Sequence, residues 1–174
     1  RGGNGTQRRP FLLREVLGNL LREDENIGVM SCGEPSPKLT AWRDAMPSGV
    51  SARIELRGHV ERAELVRIMG SSQIFYSPSA FESFGIAAGE ALCSGCSVVA
   101  GRSPSMASFE WFVSKESGSL ADSDTAAGHL EALQDEVGCG DKGKRDHDAI
   151  SCGWSSEWHV GRVAQRVVGL KKTQ

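Results

Sequence analysis

Tyr76-Ser-Pro-Ser-Ala-Phe-Glu82-Ser-Phe-Gly-Ile-Ala-Ala-Gly-Glu90-Ala-Leu-Cys-Ser-Gly-Cys-Ser-Val-Val-Ala100 is the stretch whose reading decides the fold. It opens at the end of Gln73-Ile-Phe-Tyr-Ser77, an aromatic and β-branched run that reads as a strand and is broken by Pro78. Gly85–Ser94 reads as a helix of small residues, and Ser97-Val-Val-Ala-Gly101 as a second strand. Two strands joined through a helix by short links imply a parallel pair with a crossover.

The same alternation continues on both sides. Upstream, residues 10–22 predict an amphipathic helix: Leu12/Leu13, Val16/Leu17 and Leu20/Leu21 recur on one face, Arg14, Glu15, Arg22 and Glu23 lie on the other, and Pro10 fits a first turn. Ile27–Gly33 predicts a buried strand, residues 36–46 a short helix, and Arg53–Arg57 a strand that stops at Gly58. Residues 61–70 predict a helix with Leu65, Ile68 and Met69 inward and Gly70 as its stop. Downstream come a helix over 105–113, a strand near 118–121, and a helix over 125–137 with Ala126, Leu130, Leu133 and Val137 on one face. A Gly- and charge-rich loop over 138–148 and a closing helix over 156–170 complete the chain. The expected fold is α/β, a Rossmann-like parallel sheet flanked by helices. Ligands of such sheets sit beyond the carboxyl ends of the strands, which directs attention to Gly33–Glu34, Gly58–Val60, Ser79–Gly85 and Gly101–Pro104.

Composition narrows the function classes. The chain has 174 residues, a hydrophobic share of 39% and a net charge of −2, so it suits one folded domain and not a disordered segment. With 20 basic and 22 acidic residues it lacks the positive excess of a general nucleic-acid binder. The basic run Lys142-Gly143-Lys144-Arg145 is flanked by Asp141, Asp146 and Asp148 and reads as a solvated loop. The longest uncharged apolar stretch, between Glu90 and Arg102, is shorter than the ~20 residues of a membrane span. An odd count of five cysteines reads as a reducing, cytosolic setting. The chain opens at Arg1 without Met or a leading strand, and no signal peptide begins it, which reads as a piece of something longer.

The chemistry concentrates around the first helix start of the quoted stretch. Glu82 falls in the turn after a strand and Glu90 on the following helix, with Phe84-Gly85-Ile86 as the helix's first turn. The unpaired amides and positive dipole end of a helix start favour an anion, and a glycine there admits close approach to the backbone. Carboxylates accept hydrogen bonds from sugar hydroxyls, while a phosphate fits the amides between them. The arrangement suits a sugar–diphosphate–nucleoside. Gly89 inside the helix costs roughly 1 kcal/mol relative to Ala, which points to close packing or ligand approach. The same spacing equally suits two ordinary carboxylates, Glu82 favouring the helix dipole and Glu90 exposed on the helix.

Glu82 and Glu90, with seven residues between them inside "SPSAFESFG…EAL…G…VVA", resemble the E-x7-E signature of retaining GT-B glycosyltransferases, in particular the C-terminal, donor-binding domain of glycosyltransferase family 4. Gly58 with Glu64-Leu65, the run from Glu110 through Gly118–Leu120, and the closing Trp-containing helix resemble the family's flanking segments. The resemblance implies that residues 1–174 form the nucleotide-sugar-binding half of a GT-B two-domain architecture. It implies a catalytic contact of Glu82 with the donor sugar near its reacting carbon, and binding of the ribose hydroxyls by Glu90. Backbone at Ser83, Phe84, Gly85 and Ile86 would hold the sugar and distal phosphate, and backbone at His59 and Val60 would meet the base. Arg8, with Arg9 as the neighbouring alternative and Arg1 upstream, falls where the family places a Lys that neutralises the diphosphate. The implied substrate is a UDP- or GDP-linked sugar without a further cofactor, and the implied partners are an N-terminal domain and an acceptor glycan or glycolipid. The implied pathway is polysaccharide or glycoconjugate synthesis on the cytoplasmic side, with membrane association left to the N-terminal half. The chain departs from the family at Ser97, where Pro is usual, at Gly89, where a larger apolar residue is usual, and over Arg102–Phe109, where a Gly-Gly pair is usual.

Other readings compete. The altered loop after Gly101 suits a non-catalytic GT-B-like module serving assembly or regulation. Cys93-Ser-Gly-Cys96 spells a redox motif, but at a helix end, where the dipole does not lower a thiol pKa. Cys93, Cys96, Cys139 and Cys152 lack the paired spacing of a zinc site. Gly2-Gly-Asn-Gly-Thr6 resembles a phosphate loop without being GxGxxG. His129, His147 and His159 read as surface or structural, and Trp42, Trp111, Trp154 and Trp158 as core or interface anchors, the last two facing a further domain.

Overall fold

The structure, a computed structural model, describes residues 9–82, 85–102, 109–110 and 113–157. In chain order its elements are α1 (Pro10–Glu23), β1 (Val29–Cys32), α2 (Pro37–Asp44), α3 (Ser48–Ser51), β2 (Ile54–Gly58), α4 (Arg62–Ser71), β3 (Ile74–Ser77), α5 (Ile86–Cys93), β4 (Ser97–Gly101), β5 (Gly118–Ala121), α6 (Ala126–Asp141) and α7 (His147–Glu157). Among the described residues the named strands pair in parallel. β1 pairs with β2 from Val29↔Ile54, and β3–β4–β5 form a three-stranded sheet through Ile74↔Ser97 and Val98↔Gly118. The single sheet expected from the alternation is therefore two sheets among the described residues, because pairing order is not written in local sequence.

α1 ties the two sheets together. Its buried Leu12, Val16, Leu17 and Leu20 pack on Val99, Ala121 and Leu133, and the same cluster takes in Val29 of β1 and Ile74 of β3. Each such buried aliphatic side chain contributes about 1.5–3 kcal/mol. On the opposite face, Ala88 and Leu92 of α5 pack with Val98, Ala100, Phe109 and Ile150. Helices on both faces bury every residue of β4, which explains its unbroken apolar sequence. Gly118 lets β5 lie close to β4: a Cβ there would come within 2.0 Å of the Val98 carbonyl oxygen.

Several expectations need correction. The first strand is not buried. Val29 packs inward with Leu21 and Ile54, but Met30 faces outward at 40% exposure, because only one face of the two-stranded sheet carries this packing. α4 runs past Gly70 to Ser71. Residues 138–148 are not a loop throughout: α6 continues to Asp141 and α7 begins at His147, where Asp146 Oδ1 accepts from the Ala149 amide at 2.8 Å as an N-cap. Arg145, read as part of a solvated basic run, is 6% exposed and paired to Glu136. Trp154, half-buried, packs beside the Phe109 and Ile150 cluster. The helix expected over 105–113 is described at Phe109 and Glu110, and most of the closing helix over 156–170, with Trp158 and His159, lies outside the described residues, as does Trp111.

Candidate functional site

Pro78 ends β3, and the chain crosses to α5 through a loop carrying Glu82. Gly85 is not within the helix but is its N-cap, at φ 76° and ψ 45°. That left-handed conformation is why the position takes glycine. The Gly89 amide donates to the Gly85 carbonyl at 3.0 Å, so the amides of Ile86, Ala87 and Ala88 precede the first intrahelical bond and have no acceptor inside the helix. Ile86 itself is 67% exposed. Gly89 is not there for tight packing: a Cβ would meet nothing within 4 Å.

The two carboxylates lie at the two ends of this turn. Glu82 is half-buried in the loop, and no hydrogen bond or ion pair to it is found among the described residues. Glu90 lies four residues beyond Ile86, about 6 Å along the axis. Its side chain is 32% exposed, and Oε1 stands 2.9 Å from Nη2 of Arg62. Neither acid is sealed under packed side chains. Because Arg62 opens α4 immediately after the β2 connection, the pair brings that connection against α5. His59 there is exposed and Val60 half-buried. Below, Leu65 and Met69 of α4 close the seam against Ala91 and Cys96.

A polar chain that sequence reasoning missed gathers near the carboxyl ends of β3, β4 and β5. Arg9, the N-cap of α1, is held at φ 43° and ψ 58°, a region non-glycine residues seldom adopt. Its guanidinium donates to the Asp124 carboxylate and, at 3.2 Å, to the Asp124 carbonyl. Asp124 Oδ1 lies 3.3 Å from Nε2 of His129, and Nδ1 of His129 lies 3.0 Å from the Tyr76 hydroxyl at the end of β3. Burial pushes the Tyr76 phenol far above its usual pKa. Burial also pulls His129 down, against the hydrogen bond and charge of Asp124. Burial would raise the Asp124 carboxyl, but hydrogen bonds from Arg9 and His129 outweigh it and hold it below the usual range. Arg9 is therefore already engaged within the fold. The signal in the sequence is Gly101: a Cβ there would approach His129 Nε2 to 2.8 Å, so β4 must end in glycine to admit the ring.

Of the remaining expected site residues, Arg8, Ser83 and Phe84, with Arg1 upstream, lie outside the described residues. The Cys93/Cys96 pair is not a redox centre. Cys96 is 1% exposed, donates to the Met69 carbonyl at 3.0 Å, and its thiol is pushed up to about 11 by burial; burial raises Cys93 as well. A cleft of about 310 Å³ opens elsewhere, along β5 and α6, among Arg102, Lys115, Asp122, Glu131 and Asp135. No helix among the described residues is long and apolar enough to cross a membrane.

An exposed amide-rich helix start with a carboxylate on each side can hold a phosphate and accept hydrogen bonds from neighbouring hydroxyls. The chain is 37% identical over 99 residues to the D-inositol 3-phosphate glycosyltransferase of Corynebacterium efficiens, a match covering 53% of this chain and 23% of that protein. A glycosyltransferase of Rickettsia africae superposes with a TM-score of 0.72 at 17% identity, over 95% of this chain and 44% of the other. HepE of Anabaena, solved in complex with UDP, superposes with a TM-score of 0.71 at 14% identity, over 99% of this chain and 47% of the other. HepE has also been solved with UDP-glucose. The chain thus spans less than half the length of each of these proteins, and the fold it shares with the two structures is the Rossmann-like α/β fold of GT-B glycosyltransferases. Residues 6–135, well over half the chain, match the family described as "Glycosyl transferases group 1", and the chain belongs to that family.

Proposed function

We propose that this chain is the donor-binding domain of a retaining glycosyltransferase of the family 4 type, holding a UDP- or GDP-linked sugar at the start of α5 with no further cofactor. The observation that carries the reading is the flanking of the Ile86–Ala88 amides, which have no acceptor inside the helix, by Glu82 and Glu90, neither of them buried. In this reading Glu90 accepts hydrogen bonds from the ribose hydroxyls, and the α5 amides, with backbone at Ser83–Ile86, take the distal phosphate and sugar. His59 and Val60 line the base. Glu82 touches the sugar near its reacting carbon.

The chemistry requires stabilisation of two charges. As the bond to the anomeric carbon breaks, negative charge grows on the leaving diphosphate, which helix-end dipoles and a cation stabilise. The sugar passes through an oxocarbenium-like state, and a carboxylate beside it is favourable. With Arg9 held by Asp124, Arg8 is the cation this reading assigns to the diphosphate. The acceptor, a glycan or glycolipid of polysaccharide or glycoconjugate synthesis, is met from a second domain across the cleft. HepE's UDP and UDP-glucose complexes support a uridine donor by likeness of fold.

Calorimetric titration with UDP and GDP at millimolar concentration tests the reading. Binding of one of them, weakened by Glu90→Ala, is expected. No binding of either nucleotide overturns it.

A further inference from the structure

We propose that Arg62 is a positioning residue for Glu90, fixing its carboxylate in the orientation that receives the ribose hydroxyls of a nucleoside diphosphate. The inference rests on the reading of Glu90 given above. A glutamate on an exposed helical turn rotates about three side-chain bonds, so a diol approaching it must first order it. Here Nη2 of Arg62 already takes one lone pair of Oε1, at 2.9 Å. The carboxylate offers about four acceptor directions, so Oε2 and the remaining lone pair of Oε1 stay open for two hydroxyls.

The packing beneath makes this a defined arrangement. Leu65 and Met69 of α4 lock against Ala91 and Cys96, so the backbones bearing the two charged side chains are held together while the Arg62 side chain remains 81% exposed. An exposed pair of this kind contributes little to folding, so its removal should leave the fold intact. The pair is electrostatic, so the hold of Arg62 on the Glu90 carboxylate weakens as ionic strength rises. Arg62 touches neither sugar nor phosphate in this scheme; it acts through Glu90.

The test is calorimetric titration of UDP into the wild-type protein, Arg62→Ala, Arg62→Lys, Glu90→Ala and the double variant Arg62→Ala/Glu90→Ala, at low and high salt. Arg62→Ala is expected to weaken binding by about two- to fivefold, the scale of an exposed charge pair. Arg62→Lys should restore part of the loss. In the Glu90→Ala background Arg62→Ala should cost nothing further, and high salt should narrow the gap between wild type and Arg62→Ala. Unchanged or tighter binding by Arg62→Ala overturns the proposal, as does an equal loss in both backgrounds, which would mean direct contact with the ligand. If Glu90→Ala binds as wild type, the donor-site reading of Glu90 fails first, and this inference with it. If Glu90→Ala weakens binding and Arg62→Ala does not, only this inference fails.

Discussion

Arg145 and Glu136 form an ion pair buried at the edge of β5: Nη2 lies 2.6 Å from Oε2, with 6% and 0% of the two side chains exposed. The Ser119 hydroxyl donates to the same carboxylate at 2.8 Å, and Arg145 also reaches the Gly118 carbonyl at 3.2 Å. One contact thereby fastens α6, the turn before α7 and the start of β5.

Glu136→Gln should lower stability by about 3–5 kcal/mol, because it leaves a guanidinium buried without its counter-charge. Replacing both residues, Glu136→Leu with Arg145→Met, should cost less than either single change. Denaturant unfolding of the three variants checks this. Burial alone would raise the Glu136 carboxyl, but Arg145, Ser97 and Ser119 prevail and hold it below the usual carboxylate range. Its contribution is present above the unfolded-state pKa and is lost as pH falls through the lower folded value.

His129 acts at milder acidity. Burial lowers its folded pKa from the ordinary 6.5, so the folded protein disfavours the imidazolium that the unfolded chain readily forms. The unfolded state then binds more protons below about pH 6.5, and stability falls with pH from there, with a limiting slope of ~1.4 kcal/mol per pH unit. The melting temperature should drop between pH 6.5 and 5.5 in the wild type. The drop should shrink in His129→Asn, measured against that variant's own stability at neutral pH.

Gly85→Ala tests the helix start. At φ 76° an L side chain is strained by about 1–2 kcal/mol, and relief would rotate the Ile86 amide away from its present direction. The variant should melt slightly lower and bind UDP more weakly than its stability loss alone explains. Equal UDP affinity at saturating folded fraction would remove the α5 amides from the site.

How much of this was legible depended on whether apolar residues carried the signal. α1, β4 and β5 were readable because Leu12, Val16 and Leu20 repeat at helical spacing and Val98-Val99-Ala100 is an unbroken buried run. α6 was read in part: Ala126, Leu130 and Leu133 do pack in the α1 cluster, while Val137 is only half-buried. The fully buried positions there are Gly128, His129, Ala132, Leu133 and Glu136, two of them polar side chains that a pattern built on apolar residues passes over in favour of Val137. Gly138 and Gly140 then read as a loop, although packing and the Arg145 anchor carry the helix past them. In the site, Glu82, Glu90 and Gly85 stood out through spacing within one segment. Arg62 and the Arg9–Asp124–His129–Tyr76 chain did not, since each joins elements far apart in sequence.

The most direct measurement is a titration of UDP followed by amide-resolved NMR. The account predicts that the largest shifts fall on the amides of Ile86, Ala87 and Ala88, with smaller ones at His59 and Val60, and that Glu90→Ala reduces them at equal nucleotide concentration. Shifts confined to the cleft along β5 and α6, or none at millimolar UDP and GDP, would contradict it.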